Sequence, residues 1–412
     1  MKIRKRAGMK HLTLPALMAS IPFSFPHEAS MAPFLNEIVT DFGLSTGVAG
    51  QLGTATYLGG VTAALALAPL IGQMTIRRVL VTALFVVAGT SILSGVLENF
   101  AALLLTRLIT GAAAGIVLAA TLAAIARAWS DPKTRVVRTG LVIGAMSAGP
   151  GIFAPGLRML GEFVDWQTGL IVYGLVTAIV GLFVAFGLPS FPGSASEISY
   201  KNRLAEAGRV LGMPVLRTVL GMRFISQITF GLVFSFLAAF FVELHPGKDG
   251  WLIPMFFVGP FGFMLSAFIG GPLLAKFGVM TLTALAIMAT GATVFVFVWF
   301  APSPYFSAVL FFQYGLLMGL AQTGMTALIY QHSGDRLGAA VFVNSAMGPA
   351  GSMVGAVLGG AAILAVPGYD GYKGFVTVVV LGMVIVALRL IMTTGRNPES
   401  ASVSVGSRRE GT

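Results

Sequence analysis

The sequence predicts an all-α membrane protein of twelve transmembrane helices arranged as two six-helix bundles. Three observations carry that prediction. Hydrophobic residues make up 56% of the 412 residues and charged residues only 10%, too little charge to cover a soluble surface. Helix-length apolar runs follow one another from residue 11 to residue 394, and about 20 such residues span a bilayer as a helix. A polar stretch in the middle divides these runs into two sets of six.

Taken in order, Lys2, Arg4, Lys5, Arg6 and Lys10 precede the first run. This start resembles that of a signal peptide, but no convincing small-residue cleavage pattern follows, so it reads as a cytoplasmic anchor. The first six spans are expected near 12–35, 47–72, 79–97, 100–128, 139–160 and 168–188, giving a first bundle over residues 1–188. A linker follows at 189–213. Its basic part, Tyr200 to Leu211, is expected to lie as an amphipathic helix on the anionic inner leaflet. The second bundle, residues 214–394, holds spans near 216–242, 251–275, 279–300, 306–330, 338–365 and 374–394. The remainder, 395–412, is rich in Ser and Gly, charged, and expected to be disordered.

The net charge of +11 raises the question of a nucleic-acid partner, and its distribution answers no. Most of the 26 Lys and Arg fall at the two termini and in alternate loops on one side, such as Arg77 and Arg78, Lys133, Arg135 and Arg138, and Lys201, Arg203 and Arg209. The opposite loops carry Glu37, Asp41, Glu98, Asp165, Asp249 and Asp370. This is the positive-inside bias. It places both termini in the cytoplasm of a multi-pass protein of the cell (inner) membrane. The chain has no cysteine, and its four histidines show no ligand spacing, so no metal and no cofactor is expected. Phosphate-loop and nucleophile-elbow motifs are missing, so neither ATP drive nor an enzyme activity is expected.

The halves repeat each other. Ala68-Pro69-Leu70 returns as Gly271-Pro272-Leu273, Gly111 and Gly115 return as Gly315 and Gly319, and Gly149-Pro150-Gly151 returns as Gly348-Pro349-Ala350-Gly351. Three matches in order, at nearly one offset, point to duplication. Repeated six-helix halves with a solute site between them near the midplane are a transporter plan.

The segment Leu35 to Ser45, the run Arg107-x-x-x-Gly111-x-x-x-Gly115, the Gly-Pro steps at 149–151 and 154–156, and Asp165-Trp166 together resemble the major facilitator superfamily, within it the twelve-helix drug:proton antiporter-like group. The resemblance covers nearly the whole chain. It implies alternating access, a role for Arg107 on the substrate path, and gating by the span 5 motif with Gly149, Pro150 and Pro155. The loop between spans 2 and 3 departs from the family pattern. Its basic pair, Arg77 and Arg78, is kept, but Gly72 stands where the family has an acid. Arg77 and Arg78 are accordingly assigned to gating without the acid that would complete the family's charge lock.

Glu28 is the one acid placed inside a span. It follows His27 in a first helix punctuated by Pro15, Pro22, Pro26 and Pro33. A charged carboxylate in hydrocarbon costs about 3 kcal/mol on insertion scales. Desolvation favours the neutral carboxyl and a nearby cation the charged one, so such a group can take up and release protons as a cavity opens and closes. The competing reading ends the first helix early and turns Glu28 to the outer water. Arg107 is the expected charge partner of Glu28 or of an anionic substrate group; the alternative is an arginine snorkelling to the interface. Gly111 and Gly115 let a neighbouring helix approach closely and are assigned to gating. Arg158 is expected to pair with Glu162 one turn on. Tyr57, Gln227, Gln313, Tyr314, Gln322 and Asn344 are assigned to a substrate cavity, as amides and aromatics suited to an amphipathic solute.

These readings converge on a secondary active transporter that exports a small organic molecule, a drug or metabolite, with protons as the coupling partner and Glu28, His27 and Arg107 as the coupling group. The expected partners are the solute, protons and the lipid bilayer, and the working unit is expected to be a monomer. Two rival readings are a facilitator or importer of a small organic anion and a non-transporting membrane receptor or assembly factor.

Overall fold

The structure, a computed structural model, describes residues 12–67, 74–129, 131–161, 163–191 and 200–395. Among them there is no strand, and ten helices are long and apolar enough to cross a membrane. The two remaining spans are interrupted. The first begins as α1, Leu12–Ser24. It continues through a π-turn, His27–Met31, and a 3-10 turn, Ala32–Phe34, into α2, Leu35–Phe42. Prolines 22, 26 and 33 account for these breaks, because each removes an N–H and crowds the carbonyl of the preceding turn. Within this broken stretch the Ser30 hydroxyl donates to the Pro26 carbonyl at 2.7 Å. Gly43, at φ 61, ends α2 in the left-handed region that favours glycine. The second span contains α3, Gln51–Thr62, and a π-turn, Ala63–Leu67.

The rest of the first bundle is α4, Ile76–Ser94; α5, Phe100–Ala128; α6, Pro132–Met146, joined by the π-turn Gly149–Phe153 to α7, Ala154–Leu160; and α8, Trp166–Gly187. After the linker helix α9, Tyr200–Gly212, come α10, Pro214–Leu244; α11, Leu252–Phe277; α12, Val279–Phe300; α13, Pro304–His332; α14, Leu337–Ala365; and α15, Asp370–Gly395. Short polar side chains set several helix starts. Asn99, Asp131, Asp165 and Ser303 accept from the backbone N–H three residues on, at 3.0, 2.8, 2.7 and 3.3 Å.

The helices overrun the expected span boundaries. Glu37 and Asp41, read as loop acids, sit on α2, and α6 begins at Pro132 rather than near residue 139. The linker helix forms where expected. Its apolar side, however, turns to protein: Ala207 and Val210 are buried with Leu216 and Val219 of α10 and Ala340 and Val343 of α14. The N-terminal cations, the segment 68–73 with Gly72, Glu162, residues 192–199 and the tail lie outside the described residues.

Between helices in lipid, apolar burial offers little driving force, and close packing at small residues takes its place. The duplication shows here. A Cβ on Gly111 would strike the carbonyl of Thr56, and one on Gly115 would meet Ala63 at 3.1 Å, so α5 lies tight on the second span. Gly315 and Gly319 repeat this against Gly259 and Ser266, setting α13 on α11. Elsewhere α4 packs on α5 and α8, α10 on α14, and α12 on α13 and α15.

The bundles meet where α14 packs on α3 and α11 on the π-turn at 149–153 and on α7. At the end away from the linker, a Cβ on Gly47 would lie 2.5 Å from the Gly360 carbonyl, and one on Gly53 2.6 Å from the Ser235 hydroxyl. Asn36 there donates to the Ala238 carbonyl at 3.5 Å. Near mid-depth, Gly60 approaches Pro349 and Gly151 approaches Pro260, at 3.2 and 2.9 Å from the same kind of Cβ. In this conformation the two bundles are closed against each other at the far end.

Candidate transport site

The broken first span carries the ionisable group. The π-turn turns Glu28 inward, where it is 1% exposed and accepts a hydrogen bond from the Tyr57 hydroxyl of α3 at 2.8 Å. Among the described residues no cation lies within 4.0 Å of the carboxyl. The reading that leaves Glu28 in outer water is thereby corrected: the chain continues helically past it to Phe42. His27 is equally buried, its ring edge-on to Tyr57 with centroids 5.6 Å apart, and neither ring nitrogen has a partner. Gly53 makes room for this ring, since a Cβ there would come 2.9 Å from Nε2. The same Cβ would meet Ser235 of α10, so the Glu28 group stands where the two bundles touch.

Arg107 is fully buried, so it does not snorkel to an interface. Nor does it pair with Glu28. Its Nη2 donates to the Thr90 carbonyl at 3.2 Å and to the Ser94 hydroxyl at 2.5 Å, both on α4, while Nε and Nη1 have no partner. The cause is the position of α5 in the groove between α3 and α4: its glycines serve the first helix and its arginine the second. Tyr173 of α8, whose hydroxyl is also unpartnered, is within electrostatic reach of both Arg107 and Glu28. A buried guanidinium with unmade hydrogen bonds is costly, by about 1–3 kcal/mol for each neutral group left unpaired and more for a charged one.

In the second bundle, Gln227 is 7% exposed and joins three helices. It accepts from Gln322 of α13 at 2.9 Å and donates to Ser352 of α14 at 3.4 Å. Tyr314 is buried, stacked on Phe311, with its hydroxyl unpartnered. It lines an apolar cavity of about 60 Å³ together with Phe25, Met146, Pro150, Phe230 and Met318, residues of both bundles. Solute pockets run to about 300–1,000 Å³, so the site is contracted here. Asn344 is half-buried on α14. Gln313 is a correction. It is exposed on the face of α13 that carries Phe306 and Val309, the lipid-facing perimeter, one helical step from the Tyr314 side.

The expected gating residues divide. Gly149 lies against the Pro22 carbonyl of α1, Pro150 lines the cavity, and Gly151 meets Pro260 of the other bundle, so this motif does stand at the bundle contact. Pro155 is buried in the first turn of α7. Gly111 and Gly115 instead close a seam inside the first bundle. Arg77 and Arg78 open α4, half-buried and exposed, with no ion pair among the described residues. Arg158 pairs with Glu37 of α2, a partner that local spacing cannot reveal.

Two features escape sequence reasoning. Thr90 and Ser94, which hold Arg107, look like ordinary small polar residues of a span. Arg223 does give a signal, a cation well inside the 31-residue apolar helix α10.

A family model described as Major Facilitator Superfamily matches residues 17–347. The purine ribonucleoside efflux pump NepI of Escherichia coli (strain K12) is 26% identical over 349 residues, covering 80% of this chain and 81% of that protein. Among solved structures, a mutant of the nucleoside transporter NupG superposes with a TM-score of 0.73 at 15% identity, over 94% of this chain and all of the other. The human organic anion transporter MFSD10 (TETRAN) does so at 0.68 and 15%, over 94% and 99%.

Proposed function

Because the chain belongs to the Major Facilitator Superfamily, we propose that it is a proton-coupled exporter of a small organic molecule, working by alternating access with Glu28 as proton carrier. The observation that carries this reading is the fully buried Glu28 carboxyl, held by Tyr57 at the contact between bundles with no cation within 4.0 Å among the described residues. A carboxyl so placed is neutral or charged according to whether water or a cation reaches it, and that is the property a coupling group needs. Arg107, with two unmade donors inside the same bundle, is the proposed partner in the other conformation. When the far end opens, Glu28 leaves Tyr57 and its carboxylate pairs with Arg107 until it takes up a proton from the outer side; that proton is released to the cytoplasm once the linker end is open again. His27 and Tyr173 lie in electrostatic reach of Arg107 and shape that exchange.

The curated relative is named for purine ribonucleoside efflux, and its identity is low, so nucleosides enter as probes. Gln227, Gln322 and Tyr314 supply the amide and aromatic contacts that a planar heterocycle needs. The export reading further rests on the loop charges, which place the linker and both termini in the cytoplasm. Proteoliposomes loaded in turn with purine ribonucleosides and with small organic acids test the proposal. An inward-directed proton gradient should accelerate efflux of at least one of them, and collapsing the gradient should slow it. Flux indifferent to the gradient for every solute that moves would contradict proton coupling.

A further inference from the structure

The first third of α10 carries a cation that nothing above uses. Arg223 is half-buried, its Nε is buried without a partner, and no acid lies within 4.0 Å of it among the described residues. The guanidinium lies against α14 at Gly348, where a Cβ would stand 3.3 Å from Nη2. The next residue, Pro349, meets Gly60 of the first bundle, so Arg223 stands beside the contact between the halves. Gln227 is one turn along on the same face of α10 and is joined there to Gln322 and Ser352. One cation and two amides thus converge from α10 and α13, beside the Ser352 hydroxyl of α14, with no acid within 4.0 Å of the cation among the described residues.

A guanidinium out of bulk water needs a counter-charge or a full set of acceptors. Its planar fork fits the paired oxygens of a carboxylate or phosphate. We propose that Arg223, flanked by Gln227 and Gln322, is the subsite that takes an oxyanion of the transported molecule, so that the solute is a small organic acid rather than a neutral or cationic compound. This rests on the transporter reading and narrows it. It also moves the substrate-anion role expected of Arg107 to a residue of the opposite bundle, because the transporter reading gives Arg107 to Glu28.

The test is direct binding to the purified full-length protein in detergent, with radiolabelled inosine 5′-monophosphate, benzoate and inosine as the phosphate, carboxylate and neutral probes. At least one acid should bind more tightly than inosine. Arg223→Gln should weaken that binding by about thirtyfold or more, the scale seen when one partner of a desolvated charge pair is removed. Arg223→Lys, which keeps the charge without the fork, should fall between and guards against a folding defect. Arg217→Gln, an exposed cation on the same helix, should change nothing. Tighter binding of inosine than of either acid, or acid binding unaltered in Arg223→Gln, would overturn the proposal. Liposome flux separates the two readings. Arg223-dependent binding with no flux of the bound acid would defeat transport and leave the subsite standing. Gradient-driven inosine flux untouched by Arg223→Gln would defeat the subsite and leave transport standing.

Discussion

At the scale of single residues, the site is a set of polar groups whose partners are incomplete. Glu28 has one hydrogen bond, Arg107 lacks partners for two nitrogens, and His27 lacks both. Such groups are tolerated inside a membrane protein where a second arrangement satisfies them. Arg107 gives the sharper consequence. Arg107→Lys keeps a charge but cannot reach Thr90 and Ser94 with the same planar geometry. It should lower proton-driven flux by about tenfold or more, equivalent to about 1.4 kcal/mol in the limiting step, while the protein still inserts. Near-normal flux in Arg107→Lys liposomes would mean that any buried cation suffices and that the fork has no role. Glu28 and Arg107 were both legible in the sequence, since each is an ionisable residue within an apolar run. Their separation was not: it depends on Thr90 and Ser94, two residues with no distinguishing mark until α4 is folded beside α5. Gln313 was misread for a related reason. In a helix buried on one side, adjacent positions point about 100° apart, and composition alone does not fix which of Gln313 and Tyr314 faces inward.

At the scale of elements, glycine seams and capping side chains hold the helices in place. Gly111→Ala should destabilise the first bundle by about 1–3 kcal/mol, because a methyl there meets backbone of the second span that cannot withdraw. Thermal unfolding in detergent should show a lower midpoint for Gly111→Ala and little change for Gly156→Ala, where a Cβ meets nothing within 4 Å. Equal midpoints for the two would remove the seam as an explanation. The cap of α8 gives a pH dependence. Hydrogen bonds from the Thr168 side chain and then its backbone N–H hold Asp165 below the usual carboxylate range. A lowered folded value means that the cap stabilises above the unfolded value of about 3.9 and is lost as pH falls through the folded one. Wild type and Asp165→Ala should therefore differ by about 1 kcal/mol near neutrality and converge in acid, which unfolding at several pH values would reveal. A difference that persists unchanged at the acid end would contradict this. The twelve spans and the breaks at Pro22, Pro26 and Pro33 were readable from hydropathy and from proline's missing N–H. The overrun of α2 and α6 beyond the apolar runs was not, because polar residues continue a helix once its core turn is fixed.

At the scale of the whole molecule, the bundles touch through glycines at the end away from the linker, and the duplication gives both halves the same internal seam. The orientation proposed for that body in the membrane rests on loop charge alone. In this cysteine-free chain, cysteines placed one at a time at Ser45 and Asn202, both exposed, report it. An impermeant thiol reagent added to intact cells should label the first and spare the second; the reverse would invert the protein and with it the direction of export. The central claim is that Glu28 carries the proton that couples this body to the gradient. Glu28→Gln tests it most directly, because the amide keeps the shape and the Tyr57 contact but cannot titrate. For a solute that the wild type moves, gradient-driven efflux and solute–solute exchange are measured side by side in Glu28→Gln proteoliposomes. Coupling through Glu28 predicts that net gradient-driven efflux falls to the uncoupled level while exchange persists. Full gradient-driven efflux by the inserted Glu28→Gln protein would contradict it.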